Sequence, residues 1–157
     1  MCTTFMEELL TATHDFTPST GDTFYGALLL ASSTFNASST AYTGTVGSVT
    51  MSGEVSGTNY TAGGVAVTNA TAPNSTNASS TAGVAYWTPS ASLVYTNVTL
   101  STAFDAVMLY NYTKGTAGDY PAVSIHTFGS QTVTAGTFTL TMPTNNTTNA
   151  LIRLATT

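Results

Sequence analysis

Apolar and polar positions change rhythm once along this chain. Near its start Phe5, Met6, Leu9 and Leu10 recur at helical spacing and share one face. Thr4-Phe5-Met6-Glu7 fits a capping box, in which a hydroxyl and a carboxylate satisfy the end N–H groups of a helix. The pattern predicts a helix over residues 4–13, closed by His14-Asp15-Phe16-Thr17-Pro18, since proline disfavours helical backbone in the residue before it. His14 would cap free carbonyls at that end.

Beyond Pro18 the rhythm is that of strands. Thr23 to Ala31 is nearly all apolar and predicts a strand buried on both faces. Ser48 to Val55 alternates, with Val49, Met51 and Val55 facing inward. Val65 to Thr68 is a short strand after the turn Ala62-Gly63-Gly64, and residues 69–82 read as a long loop. Val84 to Trp87 and Leu93 to Leu100 are strands split by Pro89. In Phe104 to Tyr112 both alternating sets are apolar, so both faces are buried. Tyr120 to Phe128, Gln131 to Thr134, the alternation Phe138, Leu140, Met142, and finally Leu151 to Leu154 complete the set. Eight or nine short strands at this spacing predict a mostly β chain, a two-sheet β-sandwich with one N-terminal helix. The expected division is a helical segment over 1–17 and a single β domain over 18–157.

Composition strengthens the β reading. Of 157 residues, 35 are Thr and 16 are Ser, and the β-branched Thr suits a pleated surface better than a helix. Charged residues are 6% of the chain, against about 25% in average proteins. Lys114 and Arg153 face seven carboxylates, for a net charge of -5. Two cations cannot neutralise a line of phosphates, so no nucleic-acid partner is expected. Attraction to an anionic membrane surface fails on the same ground, and no apolar run approaches the ~20 residues of a membrane-spanning helix. The first eight residues show neither a basic nor an apolar leader region, so no signal peptide is expected. The lone Cys2 excludes an intrachain disulfide.

Few groups could carry chemistry. His14, Asp15 and Asp22 lie near one another in sequence, but with this many serines a Ser-His-Asp set has little meaning, and no Gly-x-Ser-x-Gly elbow occurs. His126 reads as a half-buried strand residue. No clustered ligands, phosphate loop or dinucleotide fingerprint is present, so no catalytic residue, metal or cofactor is expected. Nine of ten asparagines begin Asn-x-Ser/Thr: Asn36, Asn59, Asn69, Asn74, Asn77, Asn97, Asn111, Asn145 and Asn146. Although about three would follow from composition alone, asparagines inside Thr/Ser-rich loops have correlated neighbours, and that reading is preferred to glycosylation.

Several stretches carry a resemblance. Leu9-Leu10 with His14-Asp15-Phe16, Ala27-Leu28-Leu29, Asn59-Tyr60-Thr61-Ala62-Gly63-Gly64 and Trp87 form its first half. Ala106-Val107-Met108-Leu109-Tyr110-Asn111, Ala122-Val123, Phe128-Gly129 and Gly136-Thr137-Phe138-Thr139-Leu140-Thr141 form its second. Together they resemble small virion proteins of tailed, often marine, bacteriophages, which often carry more Lys and Asp. The resemblance implies a structural virion part.

The expected function is therefore a non-enzymatic decoration, or cement, protein on the capsid surface. Its expected partners are the major capsid protein and copies of itself, met through apolar and strand-edge contacts. Uncharged strand edges lack the usual lysine protection and call for such cover. Phe5, Met6, Leu9 and Leu10 are the candidate docking residues. The alternative is a tail, fibre or adhesin component that binds host-surface glycans through Tyr60, Trp87, Tyr95, Tyr110 and Tyr112, whose rings could meet a sugar face. Arg153, between Ile152 and Leu154, should point outward while those two enter the core.

Overall fold

The computed structural model describes residues 1–76 and 83–156. Among these described residues are one helix, α1 (Thr3–Leu10), and eight strands: β1 (Phe24–Leu30), β2 (Ala41–Tyr42), β3 (Val65–Ala66), β4 (Asn74–Ser75), β5 (Val84–Trp87), β6 (Leu93–Asn111), β7 (Tyr120–Leu140) and β8 (Ile152–Ala155). They form two antiparallel sheets, a five-stranded one in the order β2-β7-β6-β1-β3 and a three-stranded one in the order β4-β5-β8. The predicted two-sheet, mostly β architecture with one N-terminal helix is the fold observed.

β6 and β7 dominate it. The sequence suggests five short strands here, but the chain forms one hairpin of 19 and 21 residues. The predicted breaks are bulges, with the register slipping repeatedly between Tyr95 and Ala106. Asn97 and Ala135 take left-handed backbone in this zone, which increases local twist and bends the strands. Phe104 lies opposite Gln131, seven residues from Phe138, or roughly 23 Å along a straight strand. The Phe104 and Phe138 rings nevertheless meet edge to face at 5.0 Å. The far half of the hairpin thus folds back over the near half. Leu93 comes to rest above Gly26, where a side-chain carbon would collide with it.

Between the layers lies one core, which includes Cys2, Phe5, Phe24, Leu28, Tyr42, Trp87, Leu100, Phe104, Tyr110 and Ile152. Of Phe104 to Tyr112, expected to be buried on both faces, Ala106 to Asn111 are so, whereas Tyr112 lies past the end of β6 and is 40% exposed. Phe5 places α1 in this same core.

Several local expectations fail. α1 has no capping box: extended Cys2 precedes it without a side-chain cap, and the Thr4 hydroxyl is buried without a partner. The helix stops at Leu10 rather than residue 13. The Thr11 hydroxyl donates to the Glu8 carbonyl, and Ala12 turns left-handed. Ser48 to Val55 is not a strand either. Met51 and Val55 are buried, but Val49 is 57% exposed, since Thr45 to Val49 closes as a turn with backbone bonds between Thr45 and Val49, and the Met51 N–H meets a carboxylate instead of a ladder. Finally, Ile152 is buried and Arg153 exposed as expected, yet Leu154 is exposed too. The predicted 69–82 loop contains β4, and its residues 77–82, with Asn77, lie outside the described residues.

Candidate functional site

The aromatic residues proposed for sugar contact do not form an open platform. Tyr95, Tyr110 and Trp87 are buried, Tyr60 is half-buried, and only Tyr112 is exposed. Their polar tips serve the protein's own backbone. Tyr95 donates to the Gly26 carbonyl at 2.7 Å and Tyr110 to the Gly63 carbonyl at 2.8 Å. Trp87 donates its indole N–H to the Asn69 side-chain oxygen and the Thr71 carbonyl. A buried aromatic needs such a partner for its polar atom.

Tyr60, joined by Tyr42, instead holds Glu54, a residue the sequence pattern does not single out. Glu54 is 4% exposed. One carboxylate oxygen accepts from the Tyr42 hydroxyl at 2.6 Å and the Met51 N–H at 2.8 Å. The other accepts from the Tyr60 hydroxyl at 2.9 Å and the Gly63 N–H at 2.7 Å. Burial pushes the carboxyl up from its ordinary value, while these four donors pull against that shift. Burial likewise drives the Tyr42, Tyr60, Tyr95 and Tyr110 hydroxyls up, so they remain protonated donors. Tyr60 also accepts from the Leu28 N–H at 3.0 Å, tying the 43–64 connection to β1. The signal available in the sequence was a single carboxylate inside the apolar alternation Met51 to Val55.

His14 does not cap α1 through its carbonyls. Its Nε2 meets the Glu8 carboxylate at 2.8 Å, and its Nδ1 meets the Asn111 amide nitrogen at 2.9 Å. That amide also donates to Asp22 at 2.8 Å, and Asn111 Oδ1 accepts from the Lys114 N–H. The amide nitrogen can only donate, so Nδ1 accepts and Nε2–H donates to Glu8. Both imidazole nitrogens are occupied in joining α1 to the end of β6. His126 contacts the Ser124 hydroxyl at 2.8 Å, and burial pulls its pKa down to about 4. Ser124 is fully buried, which leaves no approach for a substrate to its hydroxyl. Among the described residues no three His, Cys, Asp or Glu side chains gather in a metal-binding group, and no helix is long and apolar enough to cross a membrane.

The four candidate docking residues divide. Phe5 is fully buried and packs against His14 and Phe16, so its ring belongs to the core and is closed to a partner. Leu9 is half-buried and lines an apolar cavity of about 130 Å³ together with Phe5, Phe16, Trp87, Ile152 and Leu154. Met6 is 48% and Leu10 89% exposed. Helix α1 therefore anchors by Phe5 and turns Met6 and Leu10 outward.

No protein-family model matches the chain, and no curated protein or solved structure matches it.

Proposed function

We propose that this protein is a non-enzymatic structural component of a tailed-phage virion, a decoration protein that binds the capsid surface. The observation that carries this reading is the outward apolar face of α1. Leu10, at 89% exposure, and Met6 stand on a helix held by Phe5 and by the Glu8–His14 contact. Leucine and methionine at such exposure gain by transfer out of water, at about 25 cal/mol per Å² of apolar surface covered. The neighbouring cavity, with Leu9 and Leu154 at its walls, extends this apolar surface. The partner that fits is a capsid subunit with a complementary apolar face, and attachment is weakly sensitive to salt because few charges take part.

Quantifying the protein in purified particles and locating it in a density map of the particle tests this reading. A stoichiometry near one copy per capsid subunit, on the head, is the expected result. A few copies at a tail or single vertex, or absence from particles, would overturn it. Leu10→Asp should abolish attachment while the isolated protein keeps its melting temperature.

A further inference from the structure

A second surface, distinct from α1, is the outer edge of β7. At its start this edge is covered: Tyr120 and Pro121 pair with β2, the Ala122 N–H reaches the Thr40 carbonyl, and the Val123 carbonyl accepts from the Cys2 N–H. From Ser124 to Leu140 no strand lies along it among the described residues. Soluble proteins guard such edges with lysine, proline or inward charges. Here no charged residue and no proline occurs between Ala122 and Met142.

Charge says which partner this edge fits. All seven carboxylates lie at or before Asp119, and the only charged side chain after it is Arg153. A chain of net charge -5 repels its own copies through most of its surface. The β7 edge carries no charged side chain of its own from Ser124 to Leu140, so a pairing there sets no like charges directly opposite one another.

We propose that the last residues of β7 and the two that follow it, Gly136 to Met142, pair antiparallel with the same segment of a second copy about a two-fold axis at Thr139. Its sequence is self-complementary in that register. Thr139 faces Thr139 of the second copy, Thr137 faces Thr141, Phe138 faces Leu140, and Gly136 faces Met142. Thr137, Thr139 and Thr141 are exposed, while Phe138, Leu140 and Met142 are half-buried. The pairing sets a row of threonines on one face and a row of apolar side chains on the other. Cross-strand Thr–Thr and aromatic–aliphatic pairs are favourable combinations. The register with β6 is regular from Phe138 to Leu140, so the edge is locally straight. A symmetric contact of this kind closes at two copies and does not propagate into a fibre.

The inference deepens the structural role proposed above and rests on it for its purpose, but its test uses the free protein. Sedimentation equilibrium should give twice the 16.1 kDa chain mass. Thr139→Lys and Thr139→Glu, each placing like charges against one another at the axis, should each give the single-chain mass with an unchanged melting temperature. Mixing the two should restore the doubled mass. A wild-type chain at single-chain mass, or a Thr139→Lys chain that stays doubled, overturns the pairing. Should either charged variant fail to fold, oxidised Thr139→Cys serves: a covalent dimer supports the pairing, and no cross-link overturns it. A dimer absent from virions would remove the decoration role and leave the pairing intact. Decoration by single-chain species would do the reverse.

Discussion

Glu54 and Asp22 are both buried carboxylates, at 4% and 7% exposure, and their surroundings differ in kind. Glu54 is met only by neutral donors, two tyrosine hydroxyls and two backbone N–H groups. Asp22 accepts from the Asn111 amide and the Asp15 N–H, with Lys114 Nζ at 3.5 Å at the rim. Glu54 is thus held by fixed dipoles alone, whereas Asp22, equally buried, adds a cation that remains 42% exposed. Preorganised dipoles are insensitive to salt, and an exposed lysine is not. The two sites also fasten different things. Glu54 pins the long 43–64 connection onto β1, and Asp22 joins the end of β6 to the segment after α1.

Breaking the first site should produce the largest effect. Glu54→Ala strands four donors and should cost about 3–5 kcal/mol in urea unfolding, a large share of a typical folding stability. Asn111→Ala follows, at about 2–3 kcal/mol, since it leaves His14 Nδ1 and one bond to Asp22 unmet. Tyr60→Phe should cost about 1–2 kcal/mol, by removing one donor to Glu54 and the acceptor of the Leu28 N–H. Lys114→Ala should be the smallest, about 0–1 kcal/mol and vanishing in high salt. If Lys114→Ala rivalled Glu54→Ala, the contrast between dipoles and rim charge would collapse.

A pH series sharpens the comparison, with His126 as an independent marker. Its pKa in the fold is depressed to about 4, below an unfolded value of about 6.5. The stability tied to its neutral form is present in full above the unfolded value. It is lost as pH falls toward the folded one, roughly 3 kcal/mol over that window. His126→Gln should flatten the wild-type stability slope across it. Glu54 runs the other way. Its raised carboxyl contributes stability that is complete below the unfolded carboxylate value and lost as pH rises through the folded one.

The strand rhythm was readable because each β residue obeys a period of two that neighbours alone can express. β1, β5, β8 and the doubly buried centre of β6 appear close to where the apolar runs and alternations put them. The tyrosines show where that reading stops. Apolar rings with polar tips suit either a sugar or a buried carboxylate, and only the path of the 43–64 connection brings Tyr42, Tyr60 and Gly63 around Glu54. The same holds for His14, whose partner Asn111 is 97 residues away.

By itself the sequence determined the β class, the single anchoring helix, the sparse charge and the two-faced burial of β6, since each depends on local pattern and composition. Tertiary structure alone decided that five predicted strands are one bent hairpin. It also turned Tyr60, Trp87, Tyr95 and Tyr110 into internal braces and divided the α1 face, with Phe5 inside and Leu10 outside. Those outcomes depend on bulge geometry and on contacts between distant residues, and neither leaves a period along the chain.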